Sequence, residues 1–359
     1  MQQESQLDPL TPEQAKSQAQ LIAFSPIMFQ AVRYLRSKGI LAKIHEAREI
    51  SLAELQASVD LSSYALDVLI EAGITSNILL RKDDKLRLTK TGFFILRDEL
   101  TQANMDFVHD VCYQGMFYLG DSLEKAKPVG LEVFGQWPTI YDALTALPAH
   151  TQKSWLKFDH FYSDQAFPEV LPVIFAAQPR SILDVGGNTG RFALSCVRFA
   201  SNVHVAIVDL PGQLELLAKE INDKPEASRI SGFAMNLLDH SQPLPYGYDA
   251  IWMSQFLDCF GEDDILQLLI RAADALALDG HLYILEPFID CQEYPAATHS
   301  LVMTSLYFTA MANGKSRMYR ASQMIELAAK AGLSVVSQHD RLGGFHTLLC
   351  LQRASRPLM

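Results

Sequence analysis

Apolar residues recur along this chain at two spacings, and the change from one to the other divides it. From Phe29 to Leu41 they return every three or four positions, the period of an amphipathic helix, with Gly39 at its close. Ser51-Leu-Ala-Glu54 has the form of a capping box, in which each side chain satisfies the other residue's backbone N–H, and it opens a second helix. A third is expected from Ser62 to Ala72, ahead of Gly73. Period-two alternation in Ile78-Leu-Leu-Arg-Lys-Asp-Asp-Lys-Leu-Arg-Leu88 then predicts two short strands around a polar turn. Three helices and a hairpin predict a winged helix between about 24 and 97. Helical spacing resumes over 104–176, around Leu131-Glu-Val-Phe-Gly-Gln-Trp137 and Phe158-Asp-His-Phe-Tyr162. Beyond Arg180, strands near 181–185, 203–208, 229–234, 248–253 and 281–286 alternate with helices, which predicts an α/β fold built on a doubly wound, mostly parallel sheet. The last two strands, Leu333–His339 and Phe345–Leu351, are joined only by Asp340-Arg-Leu-Gly-Gly344. That link is too short for a parallel crossover, so they form an antiparallel hairpin. The expected division is therefore 1–103, a helical connector over 104–176, and an α/β domain over 177–359.

Charge limits the partners. The formal net charge is −11, and no cluster of Lys and Arg offers the counterion release that nucleic acids or anionic membranes reward. A winged helix invites a DNA-binding reading, yet from Ser51 to Ser76 there is no Lys or Arg, and Glu54, Asp60, Asp67 and Glu71 are acidic. That surface has the wrong sign for phosphates. Its apolar residues are expected to form a homodimer interface instead. A composition 49% apolar and 20% charged over 359 residues is that of a soluble protein of two or three domains. The five cysteines are widely spaced and include no C-x-x-C pair, so neither a disulfide framework nor a metal site is expected. The polar N-terminus and the lack of an apolar run of 18 residues predict a cytoplasmic protein without a membrane span.

The stretch Ser181-Ile-Leu-Asp-Val-Gly-Gly-Asn-Thr-Gly-Arg191 carries the candidate chemistry. An apolar strand meets an acid and then a glycine cluster that opens a helix, a turn at which a ligand can approach bare backbone. A dinucleotide fingerprint would read G-x-G-x-x-G and set the helix N-terminus against a pyrophosphate. This one reads D-x-G-x-N-x-G. Asp184 would repel a phosphate but can receive an ammonium, which suits the amino-acid end of S-adenosylmethionine. The next strand ends in Asp209, about 20 residues beyond the first glycine, where a carboxylate takes ribose hydroxyls in nucleotide folds.

The same residues resemble those of the plant-type and bacterial small-molecule O-methyltransferases. The resemblance spans about residues 20 to 351. Its anchors are Leu183-Asp-Val-Gly-Gly-Asn-Thr-Gly190 for that family's D-V-G-G-G-T-G and Val208-Asp-Leu-Pro211 for its D-L-P. Asn236-Leu-Leu-Asp239 and Leu278-Asp-Gly-His-Leu-Tyr-Ile-Leu-Glu286 add weaker matches. The resemblance implies a class I methyltransferase fold with a seven-stranded sheet, a winged-helix dimerisation domain, S-adenosylmethionine as cofactor and S-adenosylhomocysteine as product. It implies that Asp184, Gly186, Gly190 and Ser254 surround the methionine end. Asp209 and Leu210 would hold the ribose, Asn236 would face the adenine amine, and Leu237 would pack on the adenine ring. It further implies that connector and helix residues His160, Tyr162, His299 and Met303 line the acceptor pocket.

Three positions depart from the family pattern. Asn188 replaces the middle glycine, which its tolerance of φ > 0 permits. Asn236 replaces an acid. Most consequential, the stretch that in the family reads S-H-x-L-H-D-W is here Ser254-Gln-Phe-Leu-Asp-Cys-Phe260, so Asp258 stands where the family has its catalytic His. Glu286 matches the acid beside that base, whereas the second family acid falls near Ala321 and is missing. The expectation is that Asp258, its pKa raised by burial beside Glu286, deprotonates a small aromatic or polyketide-like hydroxyl. The alternatives are His160 or His299 as the base, catalysis by positioning alone, Asp258 as a cap for the helix that follows, a relative that methylates carbon or nitrogen or runs another reaction, and a winged-helix regulator that senses a small molecule.

Overall fold

Thr11 begins the first helix with a capping box, its side chain accepting the Gln14 N–H while the Gln14 side chain accepts the Thr11 N–H, and Pro12 occupies the first helical position. The computed structural model describes residues 9–163 and 165–354, apart from the side chains of 160–163. Helix α1 (Pro12–Ser37) is far longer than the expected 29–41. Only Val32 and Leu35 on it are buried, while Leu21, Ile22, Phe24 and Ile27 upstream are exposed. The apolar period is therefore clear only where the helix meets a core. Gly39 is the left-handed joint (φ +74°) from which α2 (Ile40–Ala47) departs.

A two-residue strand that the pattern does not predict, β1 (Ile50–Ser51), leads into α3 (Leu52–Ser58), capped by the Ser51–Glu54 box as expected. Ser62 caps α4 (Ser63–Thr75), which runs through Gly73. A Cβ at Gly73 would lie 2.8 Å from Leu79 Cδ1, so this glycine serves packing and does not end the helix. Strands β2 (Leu79–Lys82) and β3 (Lys85–Leu88) flank Asp83 and Asp84, both at positive φ, the turn whose twist matches a hairpin. With β1 they form a sheet of order β1-β3-β2. Helices α5 (Lys90–Arg97) and α6 (Glu99–Phe107) follow, and this first unit closes at Asp106.

The second unit runs from Phe107 and includes most of the segment expected to be a separate connector. It opens with a π-helical turn, Val108–Cys112, followed by α7 (Leu119–Lys125), α8 (Ile140–Ala143), α9 (Ala149–Ser163) and α10 (Phe167–Phe175). The sheet and its helices come next: β4 (Ser181–Val185), α11 (Arg191–Phe199), β5 (His204–Asp209), α12 (Pro211–Ile221), β6 (Ile230–Ala234) and β7 (Tyr248–Ser254). Then come α13 (Glu262–Ala275), β8 (Leu276–Glu286), α14 (Pro295–Tyr307), α15 (Ala321–Lys330), β9 (Leu333–Leu342) and β10 (His346–Arg353). Strand order is β6-β5-β4-β7-β8-β10-β9, and only β10 runs against its neighbours. Helices cover both faces, which is why β4 and β5 are continuous apolar runs without alternation. The order reverses between β4 and β7, and such a switch point leaves a crevice at the carboxyl ends of the strands. Among the described residues no helix is long and apolar enough to cross a membrane.

Candidate functional site

At that crevice β4 passes into the glycine turn. Gly186 sits at φ +76°, where a side chain is strained, and a Cβ there would overlap the Phe256 ring. A Cβ at Gly187 would lie 2.6 Å from Asp184 Oδ2. Asn188 adopts the left-handed φ of 49° that its sequence position demands. Its N–H donates to Asp209 Oδ2 at 2.9 Å, and the Leu210 N–H donates to Oδ1 at 2.7 Å. Asp209, at the end of β5, thus braces the glycine turn while each of its oxygens keeps a lone pair for a ligand hydroxyl. Burial raises its pKa against the pull of these two N–H bonds.

Asp184 is 2% exposed and its Oδ2 has no partner. Burial, and then the nearby Asp209, pushes its pKa up to about 8. Ser254 Oγ, Gln255 Oε1 and Glu286 Oε2 are also buried without partners. These four atoms stand at the carboxyl ends of β4, β7 and β8. A buried polar atom left unpaired costs roughly 1–3 kcal/mol, so a cluster of them marks where a ligand's polar groups belong. Gln255 adds backbone strain at φ +45°, a conformation that costs an L-residue roughly 1–2 kcal/mol. The acceptor-rich edge, the bare turn and the braced ribose acid together fit an adenosyl amino acid.

Beyond β7 the chain makes a tight 3-10 turn, Leu257–Cys259. Glu286 Oε1 accepts the N–H groups of Phe256 (3.0 Å) and Leu257 (2.9 Å), so this acid clamps the turn. The turn presents Asp258, 5% exposed, into a narrow crevice shared with Glu286, Phe288, Met318 and Tyr319. Burial raises the Asp258 pKa to about 6, while the Cys259 thiol, donating to Oδ1 at 3.5 Å, pulls it down. Glu286 is raised well above the usual range by burial first and Asp258 second, against the pull of its backbone N–H bonds, so the two carboxyls titrate as a pair. The rise at Asp258 comes from burial. Helix α13 begins after Gly261 with no side-chain cap, so Asp258 does not cap it. At the position of the missing family acid, the Ala321 N–H is taken by Asp290 Oδ1 at 2.7 Å.

Two of the adenine expectations meet a different arrangement. Asn236 is exposed, with its Oδ1 already accepting the Leu238 N–H at 3.1 Å. Leu237 is 7% exposed and packed into the sheet core. Leu210 and Leu238 are the exposed apolar side chains here. The buried Arg271 guanidinium donates to the Leu237 carbonyl at 2.7 Å. His299 and Met303 are exposed on α14. The side chains of His160 and Tyr162 lie outside the described residues. The sequence pattern does not point to Gln255, to Arg271 or to the two residues that hold the 257–259 turn from outside, Asn313 (Nδ2 to the Cys259 carbonyl, 2.7 Å) and Tyr319 (hydroxyl to the Phe260 carbonyl, 2.7 Å). No sequence period announces such contacts, since each joins positions far apart in the chain.

Residues 16–86 match a Dimerisation2-like domain, and residues 167–334 match an O-methyltransferase domain. The domain over 167–334 belongs to the O-methyltransferase family. As a member it is an S-adenosylmethionine-dependent methyltransferase. It is 22% identical over 317 residues to the L-tyrosine C(3)-methyltransferase of Streptomyces lavendulae, which covers 87% of this chain and 85% of that one. It is 23% identical over 290 residues to the demethylspheroidene O-methyltransferase of Cereibacter sphaeroides, covering 79% and 72%. Among solved structures, the S-adenosylmethionine-dependent methyltransferase SibL in its apo form superposes with a TM-score of 0.73 at 21% identity, covering 93% of this chain and 98% of that one, and so shares the fold.

Proposed function

We propose that this enzyme works as a homodimer and transfers a methyl group to the hydroxyl of a small aromatic or polyketide-like acceptor, with Asp258 as the base. The observation that carries this reading is the buried Asp258 carboxylate, poised near 6 by its surroundings on a turn that Glu286 clamps. The cofactor residues in this reading are Asp184, Gly186, Gly190, Asp209, Leu210, Asn236 and Ser254. Bound S-adenosylmethionine supplies a methyl group on a cationic sulfonium that is open to in-line displacement. The protein's part is to desolvate the acceptor, align its oxygen and take its proton at an Asp258 oxygen. The chain length, strand order and capped helices of the first unit support a winged-helix-like module whose apolar α1 meets a second copy.

The relative that methylates tyrosine at carbon supports a second reading at the same site. Removing a phenol's proton activates the oxygen and the neighbouring ring carbon alike, so Asp258 would serve both outcomes. Transfer from labelled cofactor to a panel of phenols, with the position of the methyl fixed by NMR, tests the two together. On a verified acceptor, Asp258→Asn keeps size and hydrogen bonding while removing basicity. Turnover is expected to fall by roughly 10² to 10⁴ with cofactor affinity unchanged. The wild-type rate should rise with pH and level off above about 6, whereas the variant's residual rate should keep climbing toward the acceptor's own pKa. A loss smaller than tenfold would remove Asp258 from the role of base.

A further inference from the structure

We infer that Gln255 is a cofactor residue whose carboxamide oxygen, together with Asp184 Oδ2 and Ser254 Oγ, forms a three-acceptor cage for the primary ammonium of the bound adenosyl amino acid. The inference rests on the cofactor reading above and assigns a residue that neither the motif nor its flanking strands point to. Asp184 pairs in register with Trp252 on the neighbouring strand, and Ser254 lies two residues further on, so Asp184 and Ser254 leave the same face of the sheet. Gln255 would turn to the other face if β7 continued. Its N–H still donates to the Leu285 carbonyl at 3.0 Å, but the left-handed φ of +45° ends the strand there. Phe256 then packs over Gly186, which seats the 254–256 segment against the glycine turn.

Three buried oxygens without partners therefore stand at the carboxyl ends of two neighbouring strands, on Asp184, Ser254 and the residue that follows it. An ammonium carries three N–H donors, and the carboxylate among the three acceptors supplies the opposite charge. A neutral hydroxyl would satisfy one of them and leave Asp184 without a counter-charge. Glu286 Oε2, the fourth unpaired oxygen, belongs to the opposite face with the catalytic turn and takes no part. The strained backbone at Gln255 is consistent with a residue held in place for a ligand, since a glycine would relieve the strain at no structural loss.

Calorimetry tests this with two ligands, S-adenosylhomocysteine and its analogue that lacks only the α-amino group. Gln255→Asn keeps a residue that tolerates positive φ but shortens the carboxamide, and Gln255→Gly removes it while easing the backbone. Both variants should bind S-adenosylhomocysteine at least about tenfold more weakly and the deaminated analogue within about twofold of wild type. The melting temperature of Gln255→Gly without ligand should equal or exceed that of wild type, which separates loss of a contact from loss of fold. Asp209→Ala should weaken both ligands alike, because the ribose is common to them. Equal losses for the two ligands in the Gln255 variants, or no loss for either, would overturn the ammonium cage while leaving the cofactor reading intact. Failure of the unaltered protein to bind S-adenosylhomocysteine would overturn both.

Discussion

At the scale of single residues the site is assembled from carboxylates that burial has made reluctant to ionise, and Asp184 is the clearest case. Its folded pKa of about 8 lies far above the 3.8 of an ordinary aspartate. Between those values the unfolded chain has shed this proton and the folded protein has kept it, so the raised pKa stabilises the cofactor-free fold at low pH. That stability is lost as pH rises toward about 8. Asp184→Asn cannot ionise and is expected to escape the loss, so without cofactor it should melt higher than wild type at pH 8, with little difference near pH 4. The same variant should bind S-adenosylhomocysteine far more weakly, having lost the counter-charge to its ammonium. Scanning calorimetry at the two pH values checks the first statement, and a variant that gains nothing on wild type between pH 4 and pH 8 would sink it. The acid at the strand end and the acid at Asp209 were both readable from the motif, because strand-acid-glycine order is local. The unpaired oxygens of Ser254 and Gln255 were not, because whether a polar atom finds a partner is settled by chain segments that meet only in the fold.

At the scale of elements, the catalytic turn depends on bonds from neighbours more than on its own sequence. Glu286 at the end of β8 takes two of its N–H groups, while Asn313 and Tyr319 hold its later carbonyls. Glu286→Ala would leave two buried N–H groups unpaired, at a cost of roughly 1–3 kcal/mol each, and would release Asp258 from its place. Glu286→Gln keeps an oxygen for both bonds. The alanine variant should therefore lose at least about tenfold in kcat, with most of it recovered in the glutamine variant, and steady-state kinetics on one acceptor distinguishes the two. Similar turnover for both variants would mean that the titrating carboxyl of Glu286, and not its clamp, matters. Secondary structure was legible to the extent that it is local. The capping box at Ser51–Glu54, the hairpin around Asp83–Asp84 and the five parallel strands fall where period and turn chemistry put them, within a few residues. The π-helical turns Val108–Cys112 and Phe308–Ala312 and the short strand β1 were invisible, because an extra residue per turn or a two-residue pairing changes no apolar period.

At the scale of the whole molecule the question is what covers α1. Its first half offers Ile22, Phe24 and Ile27 at 66%, 59% and 69% exposure, along a helix that reads as amphipathic only where Val32 and Leu35 reach the core. Bulky apolar side chains left this open on one helix are a liability for a monomer, and a second copy removes it by burying the same face against itself. The Dimerisation2-like match over 16–86 contains this helix. An interface large enough to persist at cellular concentration buries on the order of 2,000 Å², more than one helix turn supplies, so the whole exposed length of α1 must take part. Ile22→Asp combined with Ile27→Asp places two charges on the exposed stretch of each copy's α1, where each would be desolvated without a partner if that stretch is covered. The double variant is expected to sediment as a monomer at micromolar concentration, at which the wild type is expected to be a dimer. It should keep its own fold, because neither side chain packs against the core of its unit. Light scattering with circular dichroism reads both properties, and a double variant that remains dimeric would move the interface off α1. A dimer lost together with all activity, but with cofactor binding unchanged, would further mean that the acceptor side of the site depends on the assembled pair.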